Sequence, residues 1–407
     1  MTVSIRFTGL ILFYSLLCAA AAPEKDHVPG RLLLGRAEPL DAGLLDRTLR
    51  AHRAAVRRRI PELGVHVVDV PEDASESILA SLRKTGLFDY VERDAYAHTA
   101  STPNDPSYHS QWHLPRIGSA EAWSLTTGSP SVVVAVVDSG VYAQHPDLSS
   151  KVVPGWNFVK GNADTSDVLG HGTAVAGTLA AATNNGIGVA GVSWATLVMP
   201  LVAVDQSDFA AYSDMAAAIQ YAADHGVRII NLSLGGATRS TTLQNAVDYA
   251  WSKGALVFAA AMNNSVATPY YPAACTHAVA VSATDANDHL ASFSNFGNWI
   301  TLAAPGTDIL TTMNGGGYGF WNGTSFSSPI AAGVAALVLA LKPSLTNQEL
   351  LSVLKQSADD IGGAGFDGYF GWGRVNAARA VQLVSPPPAA RKHMPPAVVA
   401  PLHRIER

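Results

Sequence analysis

The chain has 407 residues, 48% of them hydrophobic and only 14% charged, with a formal net charge of −5. That length suits one large globular domain plus an accessory one, and the charge gives no electrostatic case for nucleic acid or an anionic membrane as partner. Two cysteines, Cys18 and Cys275, exclude a disulfide framework and a cysteine metal site.

Residues 1–22 carry Arg6, the apolar run Leu10 to Leu17 and the alanines Ala19 to Ala22 before Pro23-Glu24. This is the pattern of a secretory signal peptide. Its roughly 14 apolar residues fall short of the roughly 20 that a spanning helix needs, so no membrane span is expected. Leu17 stands where a lipid-modified Cys18 would need a small residue, which argues against lipidation.

Residues 23–100 are arginine-rich and alternate short strands with amphipathic helices. The patterning predicts strands at Arg31 to Gly35, Val65 to Val70 and Asp89 to Glu92, and helices at Asp41 to Arg58 and Ala74 to Thr85. That is compatible with a βαββαβ unit, a small open sheet packed against two helices. The stretch from Thr99 to Pro106 lacks periodicity and bulk and reads as a cleavable loop, placing a boundary near residue 100.

Between residues 101 and 384 unbroken apolar runs of strand length recur at Val132 to Val137, Leu197 to Val204, Val227 to Leu234, Ala255 to Ala261 and Ala278 to Val281. Helical spacing lies between them at Asp214 to His225 and Thr241 to Lys253. The expected fold class is α/β, three layers with a mainly parallel central sheet and helices on both faces, preceded by the small α+β unit. In such sheets functional groups collect beyond the C-terminal strand ends. Residues 385–407 turn proline-rich without periodicity, as a disordered or trimmed tail does.

The run Asn322-Gly323-Thr324-Ser325-Phe326-Ser327-Ser328-Pro329 opens a helix that is apolar on every side, and such a helix must be buried. Its first turn offers free N–H groups and a positive dipole end beside Ser325. Alone, that serine reads as an N-cap. Asp138 ends the strand that starts at Val132, at the sheet edge where ligands bind. Gly170-His171-Gly172-Thr173 follows, opening a helix expected from Ala174 to Ala182. Glycines flanking a histidine let other backbone approach it, as a general base requires. The chain order of these groups is Asp, His, Ser.

Together with His145-Pro146-Asp147-Leu148 and Asn231-Leu232-Ser233-Leu234-Gly235-Gly236, these motifs resemble the subtilisin family, with the spacing of its thermitase-like members. The resemblance covers about Asn104 to Val384, and residues 23–100 are similar to the family's inhibitory propeptide. It implies a secreted serine endopeptidase, extracellular or periplasmic, processed by itself from a precursor, with Asp138, His171 and Ser325 as the triad. Asn263 would supply an oxyanion donor, and Ser233, Leu234, Gly235, Ala261 and Met262 would bind substrate. Asp105, Asp147 and Asn185, with carbonyls near Ile187 and Val189, match the family's strong calcium site, and hard oxygen donors suit Ca²⁺. Expected partners are protein and peptide substrates and the chain's own propeptide, with no nucleic acid and a monomeric state.

The sequence departs from the family at Met262, where glycine is usual, at Ala174, and at Phe326 and Ile330 around the nucleophile. A methionine at 262 is expected to narrow the pocket toward small or flexible apolar side chains. It is also the one support for the alternative, a catalytically impaired binding protein on the same fold. A serine esterase is disfavoured because Gly323-Thr324-Ser325-Phe326-Ser327 is not G-x-S-x-G. His109 and His113 lack the neighbouring glutamate and third ligand of a zinc helix. Three glycosylation triplets, at Asn231, Asn263 and Asn322, fall in expected active-site walls and are expected to stay unmodified.

Overall fold

The computed structural model describes residues 27–36, 41–95 and 102–385. The expected signal peptide, the first residues of the expected loop at Thr99 to Pro106 and nearly all of the expected proline-rich tail lie outside the described residues. Two compact units emerge, one within residues 27–95 and one within 102–385.

The first unit runs β1 (His27–Gly35), α1 (Ala42–Ala51), β2 (Ala55–Ile60), β3 (Val65–Asp69), α2 (Ser75–Lys84), β4 (Tyr90–Ala95). Its sheet is antiparallel in the order β2-β3-β1-β4. Leu45 and Leu49 of α1 and Ile78, Leu79 and Leu82 of α2 bury against Leu32, Leu34, Val68 and Val91. The helix expected from Asp41 to Arg58 is shorter. Asp41 caps it by accepting from Leu44 N at 2.9 Å, and it ends at Ala51. Residues 55–60 instead pair with β3, from Ala55 opposite Asp69 to Ile60 opposite Val65. Local periodicity cannot register a strand whose partner lies further along the chain.

The second unit opens with short helices α3 (His113–Arg116) and α4 (Ser119–Trp123), then β5 (Val133–Asp138), β6 (Trp156–Asn157), α5 (His171–Ala180) and β7 (Leu197–Val202). It continues with α6 (Tyr212–Asp224), β8 (Ile229–Leu232), α7 (Thr241–Ser252), β9 (Leu256–Ala260), β10 (Ala278–Thr284) and β11 (Leu302–Pro305). A hairpin, β12 (Ile309–Thr312) and β13 (Tyr318–Trp321), precedes α8 (Thr324–Leu341), α9 (Asn347–Ser357) and α10 (Ala377–Val384). Seven strands form one parallel sheet in the order β11-β10-β9-β8-β5-β7-β6.

Alternation along β5 builds the layers. Val134 and Val136 pack with α5 and α8, whereas Ala135 and Val137 pack with α6 and α7 on the other face. Because both faces are covered, the strands read as continuous apolar runs. Helix α8 runs through the first of these cores, buried from Thr324 to Leu339. It is long and apolar enough to cross a membrane, yet nearly all of it is enclosed by the fold. The chain leaves β5 toward β7 on one side and later fills β8 on the other. Asp138 therefore ends the strand at the topological switch point, where α/β sheets place their ligands.

Candidate active site

Asp138 is 1% exposed, and its Oδ1 accepts from the N–H of Ser139 and from His171 Nδ1, both at 2.8 Å. Its Oδ2 is buried without a hydrogen-bond partner among the described residues. The pair can meet because residue 172 is glycine: a Cβ there would stand 2.1 Å from the carbonyl oxygen of Gly140. His171 is itself the first residue of α5, three residues before the expected start. Burial pulls its imidazole down, but the charge and hydrogen bond of Asp138, helped by Asp167 and Asp208, hold it above the ordinary histidine value.

Ser325 is the second residue of α8, and the cap is Gly323, not the serine. This overturns the N-cap reading. Pro329 inside α8 has no N–H for the carbonyl four residues back, that of Ser325. The Ser233 hydroxyl takes that place, donating to Ser325 O at 2.7 Å. The Ser325 hydroxyl donates to Ser233 O at 3.2 Å. Asp138, His171 and Ser325 line one cleft of about 640 Å³ with Ser233, Leu234 and Gly235.

Asn263 is fixed by Thr324, whose N–H and hydroxyl both donate to Asn263 Oδ1 at 2.9 Å. Its Nδ2 has no partner among the described residues and lies 3.2 Å from where a Cβ at Gly323 would stand, toward the start of α8. Thr324 Oγ1 also accepts from Met262 N at 3.0 Å. Buried Asn295 secures the same turn from behind, with its N–H on Met262 O and its Oδ1 accepting from Asn264 N and Val266 N. Met262 occupies the left-handed region at φ 75°, which a glycine adopts freely and a methionine does not. Its side chain stays on the cleft wall, with the sulfur 3.6 Å from where a Cβ at Gly235 would lie. Ala261, by contrast, is fully buried with Ala259, Ala273, Ala280 and Ile300, so its side chain lies behind the wall.

Asp105 and Asp147 are both buried and close enough that the charge of Asp147 adds to burial in pushing the Asp105 carboxyl up, against backbone donors from Asn184 and Asn185. Asp105 Oδ1 has no partner among the described residues. Asn185 Nδ2 donates to Asp147 Oδ1 at 2.8 Å, and Val189 N donates to Asp147 Oδ2 at 3.1 Å. Ile187 N donates to Asn185 Oδ1 at 3.0 Å, closing the loop beside the two acids. An orphaned buried carboxylate oxygen, on an acid that a second carboxylate also acts on, fits a divalent cation. His113 lies elsewhere, fully buried with both ring nitrogens unpartnered among the described residues, and no cluster of three His, Cys, Asp or Glu side chains occurs among them.

Sequence reasoning missed several neighbours. Trp321 packs on the His171 ring with centroids 6.4 Å apart, and Phe326, which the sequence placed only around the expected nucleophile, does so at 6.0 Å. Phe209 and Tyr212 line the cleft from a loop and helix start that carry no local signal. Thr324 could have been found, since it adjoins Ser325.

The model of the subtilase family of S8 peptidases matches residues 129–373. The chain belongs to the subtilase family. A second model, that of the fervidolysin N-terminal prodomain, matches residues 18–94. This subtilase is 43% identical over 307 residues to a thermophilic serine proteinase of Bacillus sp., covering 75% of this chain and 76% of the relative. To thermitase of Thermoactinomyces vulgaris it is 42% identical over 282 residues, 69% of this chain and 99% of that one. A solved protease structure from Pseudoalteromonas arctica aligns with a TM-score of 0.65 at 35% identity, covering 70% of this chain and all of the other. The protein is thus a subtilisin-like serine endopeptidase with an N-terminal prodomain.

Proposed function

We propose that Asp138, His171 and Ser325 act as the catalytic triad. The observation that carries this reading is the 2.8 Å bond from His171 Nδ1 to the buried Asp138 carboxylate, in a cleft that Ser325 also lines. Rotation about its Cα–Cβ bond turns the Ser325 hydroxyl from Ser233 O toward His171. His171 Nε2 takes the hydroxyl proton as Oγ attacks the peptide carbonyl, and Asp138 stabilises the imidazolium. The oxyanion is held by the Ser325 N–H and Asn263 Nδ2, a donor whose loss costs about 3 to 4 kcal/mol of transition-state stabilisation. The C–N bond breaks as His171 returns the proton to the amine. Water, deprotonated by the same histidine, then hydrolyses the acyl-enzyme.

Substrates lie extended along Ser233-Leu234-Gly235, where backbone bonding gives breadth of specificity. Met262 narrows the pocket beyond them to small or flexible apolar side chains. Asp105, Asp147, Asn185 and the carbonyls near Ile187 and Val189 would hold calcium, which would neutralise the paired carboxylates and brace the loop from Asn184 to Val189.

The precursor reading assigns residues 1–22 to a signal for secretion, 23–100 to an inhibitory propeptide, 101–384 to the peptidase domain and 385–407 to a tail. Cleavage near residue 100 is by the domain itself. Expression of the Ser325→Ala chain tests this: it should remain uncut at that loop, and normal maturation would sink self-processing. Labelling of Ser325 by a fluorophosphonate separates an active enzyme from a binding protein on the same fold.

A further inference from the structure

We infer that Asp167 is a positioning residue of this active site, tying the end of β5 to the start of α5 and setting a fixed negative charge at that helix N-terminus. The inference rests on the triad reading given above.

The residue before α5, Gly170, has no side chain with which to cap the helix. Asp167, four residues before His171, serves instead. Its Oδ1 accepts from Gly170 N at 2.8 Å and Leu169 N at 3.0 Å, and its Oδ2 accepts from Thr173 N at 2.8 Å and from the Thr173 hydroxyl. The same Oδ1 accepts from Ser139 Oγ at 2.8 Å, and Ser139 Oγ in turn accepts from Gly172 N at 3.0 Å. Ser139 adjoins Asp138 and donates its own N–H to that carboxylate. One carboxylate is therefore bonded to the neighbours of both members of the Asp138–His171 pair. Asn314, between β12 and β13, holds the backbone carbonyl of Asp167 at 3.2 Å.

Charge gives the second half of the case. A cation at the first position of a helix is opposed by the dipole, and burial opposes it further. Attack by Ser325 makes such a cation of His171. Three carboxylates act on the ring: Asp138 at the end of β5, Asp167 before α5 and Asp208 in the loop after β7. Asp138 meets Nδ1 directly, whereas Asp167 offsets the positive end of α5. A group that only capped the helix would change stability and leave the titration of His171 where it is.

The test compares the full chain with its Asp167→Asn variant. The rate of Ser325 labelling by a fluorophosphonate, and kcat and KM for a peptide substrate, are followed between about pH 5 and about pH 9. Labelling and kcat should fall about tenfold at the plateau, with KM changed less than about twofold. Loss of the carboxylate charge should also move the acid limb to lower pH. An acid limb that superimposes on that of the unaltered chain overturns the inference. Ser139→Ala breaks the tie to β5 but keeps the charge, so its rate should fall with the acid limb unmoved. Should Asp167→Asn give no soluble protein, an unchanged rate in Ser139→Ala overturns the proposal. Absence of labelling in the unaltered chain would instead sink the triad reading.

Discussion

Ser233 and Ser325 exchange hydrogen bonds: the Ser233 hydroxyl donates to the Ser325 carbonyl at 2.7 Å, and the Ser325 hydroxyl donates to the Ser233 carbonyl at 3.2 Å. The first bond satisfies a buried carbonyl that Pro329 leaves without its helical donor. It also joins the strand end that would bear substrate to the helix that bears Ser325, the proposed nucleophile. Ser233→Ala should therefore destabilise the second unit by about 1 to 3 kcal/mol, the cost of an unpaired buried acceptor. Thermal melts on a Ser325→Ala background, which removes self-digestion, measure this. An unchanged melt would mean that the carbonyl finds another donor.

Met262 carries a left-handed backbone, at φ 75°, beside Asn263, the proposed oxyanion donor. Met262→Gly should relieve about 1 kcal/mol of strain, partly offset by the greater freedom of glycine when unfolded. It should also raise kcat/KM for peptides with Phe on the acyl side of the cut relative to Ala. The unaltered enzyme should favour Ala or Met there, and a clear preference for Phe would remove Met262 as a determinant of specificity.

Paired carboxylates at Asp105 and Asp147 lead to a metal prediction. A chelator should lower the melting temperature and hasten self-digestion, and added calcium should reverse both. In Asp147→Asn the chelator should lose its effect. A melt unchanged in excess chelator would count against calcium at this loop.

His113 gives a pH dependence with a definite sign. Burial holds its imidazole down at about 3, so it is neutral in the folded chain. The unfolded chain binds a proton below the ordinary value of about 6.5, so stability is intact above that pH. As pH falls from about 6.5 toward about 3, stability should decline by roughly 1.4 kcal/mol per unit. Acid unfolding monitored by circular dichroism should begin at lower pH in His113→Leu than in the unaltered chain. Coincident acid transitions would show that His113 is not the group responsible.

The sheet was legible because its strands are buried on both faces, and burial of that kind leaves continuous apolar runs such as Val132 to Val137. Helix α8 was legible for the same reason. Strand β2 was not: with Arg57, Arg58 and Arg59 exposed, its stability comes from pairing with β3, which no local pattern records. The start of α5 was misplaced by three residues because its cap is the side chain of Asp167, reaching over a glycine.

By itself the sequence determined the α/β class, the family motifs and the candidate groups Asp138, His171 and Ser325, each marked by residue type and neighbours, while Asn263 and Asp147 were implied by the resemblance those motifs carry. Only the tertiary structure decided how they stand to one another. Whether Met262 fills the cleft or the core, which carbonyl Ser233 satisfies, and which carboxylates face His171 depend on contacts between segments far apart in the chain. Distances across that gap are set by the packing of α5 and α8 on the sheet, and a string of residues does not encode packing locally.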